Sequence, residues 1–370
     1  YDITSVYFEG QYSDSQLVKF GYNRDHKKGK EQVVVGLICN DEGCPVAIEV
    51  FEGNTKDEST VLDKINELRQ DYHLEQVIFV GDRGMVTQSN LEAVQDDNDI
   101  KTISALTHQQ MQQLVTRDVI QPDLFDDTLS TEVFDPQAPE KRYCLCRNES
   151  SATRESRTRE RLIDLTIQGL QLIADYKRKT TVEKLGARVG KILAKYKIGK
   201  FIDWSIESAE EEKSQSHQLR WVLNTEKIVK EKRLDGCYVI TSDVDKKLMN
   251  TQKVIATYKS LSHVEQAFRT MKTTHLHVRP VYHKSDSRIR SHLFLCMLSY
   301  YLQWHMRQRL KPLFDSDLKN KNRKWTVQSV INCLSQLTRN KVSMEGVVFY
   351  KNSTPTKEQQ EILTLLGVTV

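Results

Sequence analysis

The first hundred residues carry an order of β-rich and helical runs that few folds can accommodate. YDITSVYFEG, QVVVGLICN (Gln32 to Asn40) and PVAIEVFEG (Pro45 to Gly53) are β-rich and joined by turn-like DHKKGK and NDEG, which predicts an antiparallel meander. Asp57 to Tyr72 follows, with Val61, Leu62, Ile65 and Leu68 at helical spacing and acidic residues suited to a helix N-terminus. A strand from Gln76 to Val80 then runs into GDRGM, a helix is expected near Gln88 to Val94, and a further strand over Lys101 to Leu106. The order is βββαβαβ.

That order, with an apolar strand ending at an Asp, is the layout of a ribonuclease-H-like sheet, in which parallel strands extend a meander through helical crossovers. The expected class is α/β, a mixed sheet flanked by helices and interrupted by an inserted α+β subdomain. After Leu106 the pattern dissolves into a polar stretch, His108 to Lys141. RYCLCR (Arg142 to Arg147), LRWVLN (Leu219 to Asn224) and DGCYVITS (Asp235 to Ser242) read as strand-like edges of the insertion, around a basic helical arm from Arg154 to Ala194, with EEEK (Glu210 to Lys213) as a loop. Thr251 to Met271 reads as one long helix, and His292 to Arg309 as another, apolar enough to be largely buried. A short helix around Val327 to Leu337, a polar turn and TKEQQEILTLLGV close the chain. The division expected is residues 1–107, the first part of the catalytic domain; 108–245, the insertion; 246–310, the return to the catalytic domain; and 311–370, a helical tail.

Composition narrows the setting. No apolar run approaches the roughly 20 residues of a membrane span, so a soluble protein is expected. The opening has neither an initiator Met nor a signal-like pattern and reads as a trimmed N-terminus. Seven scattered cysteines suit a reducing cytoplasm. The close pair, Cys144 and Cys146, reads as a strand core rather than a zinc site. The net charge of +4 hides two basic segments. Ser151 to Phe201 holds thirteen basic and five acidic residues, and Thr251 to Lys311 holds eleven and two. Such segments are an electrostatic footprint for a polyanion or else a solvated helix face.

Three carboxylates stand out by position: Asp2 on the first strand, Asp82 at the C-terminal end of the parallel strand, where α/β sheets bind ligands, and Glu265 in a helix otherwise basic and apolar. Such a cluster suits phosphodiester chemistry, because carboxylates are hard ligands for Mg²⁺ or Mn²⁺, and two ions can activate the attacking oxygen and stabilise the leaving one. Asp126, Asp127, Asp243 and Asp245 are rival carboxylates. Around Glu265 the residues Tyr258, Leu261, Glu265, Phe268 and Lys272 are spaced 3, 4, 3 and 4 apart and form one helical stripe, with a Tyr able to stack on a base and a Lys able to meet a phosphate.

The chain resembles bacterial insertion-sequence transposases of the DDE type, in the branch marked by a Tyr, Arg, Glu, Lys signature with two, three and six residues between. Tyr258, Glu265 and Lys272 fall on that pattern, while Leu261 holds the Arg position. YDITSVYFE with Asp2, FVGDRGM with Asp82, GYNRDHKKGKEQVVVGLICNDEGCPVAIEVFEGNT and VEQAFRTMKTTHLHVRPVYH are similar to the family's segments. The resemblance implies a ribonuclease-H-like fold, catalysis and metal binding by Asp2, Asp82 and Glu265 with two Mg²⁺ or Mn²⁺ ions, cleavage at transposon ends, strand transfer into target DNA, a homodimer pairing two ends, and a bacterial, nucleoid-associated setting. The 183 residues from Asp82 to Glu265 exceed any plain connection and call for an insertion. Tyr258, Lys259, Arg269, Lys272, Arg279 and Arg83 are the expected DNA contacts, with Arg269 or Arg83 standing in for the signature Arg. A transposase-derived DNA-binding protein without catalysis and a metal-dependent nuclease without strand transfer remain as alternatives.

Overall fold

The computed structural model describes all residues except 26, 28, 57–72, 74–75, 84–99, 126–130, 177–179, 209–216, 274–275, 277, 320–323 and 370. The helices expected at Asp57 to Tyr72 and Gln88 to Val94, the EEEK loop, Asp126 and Asp127 lie outside the described residues. Two compact units emerge, one from the described parts of 1–75 and 259–370, the other from those of 76–83 and 94–258. In the first unit β1 (Asp2–Tyr7), β2 (Gln32–Cys39) and β3 (Pro45–Glu52) form the expected antiparallel meander, with Asp2 opposite Leu37 and Val35 opposite Val50. Strand alternation places Asp2, Thr4 and Val6 on one face.

The second unit is built on a five-stranded mixed sheet. β4 (Val77–Val80) and β5 (Ile100–Ala105) pair in parallel, as expected. RYCLCR and DGCYVITS, expected at the edges of an insertion, join that same sheet instead. Beside β6 (Thr131–Asp135), they lie in β7 (Ala138–Arg147) and β10 (Cys237–Ser242), and the strand order is β4-β5-β10-β7-β6. The reason is that both faces of these strands are apolar, which suits a strand covered on two sides. On one face Tyr143, Leu145 and Val239 meet Met111 and Leu114 of α1 (His108–Thr116). On the other, Ile103, Cys144 and Ile240 meet Val254 and Ile255 of α5 (Thr251–Lys259). Cys144 and Cys146 both belong to the α5 side, as the strand-core reading required, and burial pushes the Cys144 thiol up to about 12.

The basic arm is two helices, α2 (Glu149–Ala174) and α3 (Val182–Tyr196), which share a core with the hairpin of β8 (Ile202–Ser208) and β9 (His217–Leu223) through Leu170, Val189, Phe201 and Leu219. A short α4 (Thr225–Lys232) follows. The arm is fixed to the sheet at its base. Gly236, at φ +70, leads into β10 so close to α2 that a Cβ there would lie 2.4 Å from the Asn148 carbonyl oxygen. Next to it Arg159 grips the buried Asp235 with two guanidinium nitrogens.

The helix expected from Thr251 to Met271 is two. It breaks at Ser260, and α6 (Leu261–Thr273) begins anew, because its halves answer to different cores. Val264, Ala267, Phe268 and Met271 of α6 share the first unit's core with Val6, Val35 and Leu37. α7 (Asp286–Arg309) buries Ile289, Leu293, Met297 and Tyr300 in the same core, but Phe294, Leu295 and Leu302 are exposed, so the largely buried helix expected here is buried along one stripe. The tail holds α8 (Lys311–Lys319), α9 (Val327–Leu334) and α10 (Lys357–Leu366) around Leu310, Val330 and Ile362. Where a polar turn was expected, β11 (Arg339–Met344) and β12 (Val347–Asn352) make an exposed hairpin.

Candidate active site

Asp82 lies two residues beyond the end of β4, where pairing with β5 continues through Gly81, whose amide donates to the Ile103 carbonyl at 3.1 Å. The Ser104 hydroxyl donates to the Asp82 carbonyl at 3.4 Å. The side chain is 61% exposed and so open to a ligand beyond the strand end. Its Oδ1 accepts from the Arg83 amide at 2.7 Å and from the Tyr258 hydroxyl at 3.4 Å.

Tyr258 reaches Asp82 because the start of its helix is pinned. Glu132 on β6 accepts two hydrogen bonds from Arg142 on β7 at 3.0 and 3.1 Å, and the Thr251 hydroxyl, at the start of α5, donates to the same carboxylate. Arg142 also donates to the Val244 and Met249 carbonyls at 2.8 and 2.9 Å. Two turns on, Tyr258 arrives beside Asp82. Burial, and then the neighbouring Asp82 charge, push its phenol up to about 12, so at neutral pH it is a donor. The two described rival carboxylates have other work. Asp243 accepts from the Thr102 amide at 2.5 Å and its hydroxyl at 3.2 Å, and Asp245 caps the Lys247 amide at 2.7 Å.

In the first unit Asp2 and Glu265 belong to elements of one core. Asp2, half-buried, accepts from the Ile3 amide at 2.8 Å and lies on the strand face that carries Thr4 and Val6. Thr4 and Val6 line a narrow void with Phe268, Met271 and Lys272, so this is the face that α6 covers. Lys272 donates to the Thr4 hydroxyl at 2.7 Å. Glu265, exposed, sits two turns before Lys272 on the same stripe. At Gly43, φ +84, a Cβ would come within 2.7 Å of the His263 Cβ, so the β2–β3 turn seats the start of α6.

Lys272 and Arg279, both expected to contact DNA, each meet Asp25, at 3.2 and 2.7 Å. The Lys272 side chain is only 10% exposed, and burial lowers its pKa despite that partner. Arg279 also lies over the Tyr7 ring at 5.0 Å. Sequence reasoning missed Asp25 as a hub and read it only as part of a turn; an acid alone among four basic residues was the available signal. It also missed Glu132 and Ser104, for which no spacing gave a sign. Lys259 and Arg269 are exposed on α5 and α6.

Asp2, Asp82 and Glu265 each offer only oxygen donors, of the hardness that Mg²⁺ and Mn²⁺ select. Among the described residues no three His, Cys, Asp or Glu side chains are gathered as a metal-holding group. No helix among them is long and apolar enough to cross a membrane.

A family model described as a transposase DDE domain matches residues 4–302. No curated protein and no solved structure gives a match.

Proposed function

Because the chain belongs to the transposase DDE domain family, we propose that it cuts DNA at transposon ends and joins them to target DNA with the help of divalent metal ions. The mixed α/β architecture is that of a ribonuclease-H-like transposase domain. The observation that carries the finer reading is Asp82, exposed at the end of a parallel strand with the Tyr258 hydroxyl directed at it. Asp2, Asp82 and Glu265 would hold Mg²⁺ or Mn²⁺, which when bound would activate the attacking oxygen and stabilise the leaving one. Tyr258 orients the Asp82 carboxylate. Arg83, Lys259 and Arg269 are proposed to meet phosphates near the cut end, with Arg83 or Arg269 replacing the signature Arg lost at Leu261. Lys272 and Arg279 would have to leave Asp25 to do so, and their proposed task is to hold β1 against α6. Membership of the Tyr, Arg, Glu, Lys branch and pairing of two ends by a homodimer belong to the same proposal.

The test is Mg²⁺-dependent cleavage and strand transfer on a duplex bearing the element's end. Asp82→Asn should lower cleavage roughly a thousandfold, from a loss of about 4 kcal/mol of transition-state stabilisation, while duplex affinity stays within about twofold. Cleavage by the variant at the wild-type rate would remove Asp82 from the site. Leu261 supports a second reading, DNA binding without catalysis, and a wild-type chain that binds ends but never cuts them would establish it.

A further inference from the structure

One face of α2 is set apart from the rest of the basic arm. Arg154, Arg157 and Arg161 recur at i, i+3 and i+7, so they share one side of the helix, and all three are exposed. With Ser150, Thr153 and Thr158 they line a groove that no carboxylate enters. The neighbouring charges of the helix are engaged elsewhere. Arg159 is buried on Asp235, Glu155 accepts from the Gly236 amide at 2.9 Å, and Glu160 accepts from the Ser156 hydroxyl at 3.2 Å. Asp164 is the first acid on the arginine side, one turn beyond Arg161. Among the described residues none of the three guanidiniums has an ion-pair partner. That contrasts with Lys272 and Arg279, which Asp25 occupies.

We infer that this arginine ridge of α2 is a binding surface for the phosphate backbone of duplex DNA, gripping it without regard to sequence. Seven helical residues span about 10 Å, and one DNA strand presents a charge about every 3.4 Å of axis, so three guanidiniums match about three phosphates. The Ser150, Thr153 and Thr158 hydroxyls already donate to Asn148 Oδ1 and to the Glu149 and Arg154 carbonyls, so the guanidiniums alone supply the donors of this face. Arginine suits the task because its planar fork meets phosphate oxygens in pairs. Nothing in the ridge reads base edges, so its contribution is to affinity and not to choice of site. The inference rests on the transposase reading only for the identity of the polyanion.

The test is anisotropy titration of two unrelated duplexes of about 25 base pairs with the full chain, across a salt series without divalent metal. Arg154→Gln, Arg157→Gln and Arg161→Gln combined should reduce the slope of log affinity against log salt by about 2.7, equally on both duplexes. The three Lys replacements should restore most of that slope, because charge remains. An unchanged slope in the Gln variant, or a loss confined to one duplex, overturns the inference. Asp82→Asn should bind with the wild-type slope. Cleavage by that variant would sink the catalytic reading and leave the slope result standing, whereas an unmoved slope beside normal metal-dependent cleavage would sink the ridge alone.

Discussion

At Tyr258, burial and the neighbouring Asp82 charge keep a proton on the phenol. The carboxylate has the Arg83 amide and the Tyr258 hydroxyl on one oxygen, and burial with the adjacent charge moves the phenol from 10 to about 12. A raised folded pKa of an acid means that the neutral form is favoured by folding. The stability this contributes is therefore fully present below pH 10 and is lost as pH rises from 10 towards about 12. Urea midpoints followed over that window should fall more steeply for the wild type than for Tyr258→Phe, which has no phenol proton to lose. Equal falls would place the phenol's titration elsewhere. At this scale the sequence disclosed where Asp82 sits, just beyond a parallel strand, because VIFV is marked by its own apolar run. Asp25 was opaque, because its partners Lys272 and Arg279 lie about 250 positions away and nothing local announces them.

Elements obeyed local pattern where their core was local. The meander, the parallel pair β4 and β5, and the arm helices α2 and α3 follow from alternation and helical spacing that each element carries by itself. Long-range pairing was the illegible part. β7 and β10 looked like insertion strands because a polar stretch separates them from β5, yet their two apolar faces fitted the sheet interior. The break at Ser260 was hidden because Tyr258 to Lys272 keeps an unbroken helical period across it. The junction of arm and sheet has its own test. Arg159→Ala leaves Asp235 buried without its charge partner and should lower stability by about 3–5 kcal/mol in denaturant unfolding. Arg161→Ala, on the exposed side of the same helix, should change it by no more than about 0.5 kcal/mol. Equal effects would mean that the Arg159–Asp235 pair does not hold the arm.

At the scale of the whole molecule, the family match spans both units, with the carboxylates distributed between them: Asp2 and Glu265 in one, Asp82 in the other. The family and the α/β class were legible because the motifs around all three are short, local and strongly patterned. On the proposed function the division of labour is between the α2 ridge, which adds affinity for the DNA backbone, and the carboxylates, which serve cleavage. The most direct test of that division is calorimetric titration of Mn²⁺ into the full chain bound to an end-bearing duplex. Asp2→Asn, Asp82→Asn and Glu265→Gln should each weaken Mn²⁺ binding by at least about tenfold while the duplex stays bound. Unchanged Mn²⁺ affinity in any one of the three would contradict a metal site that depends on all of them.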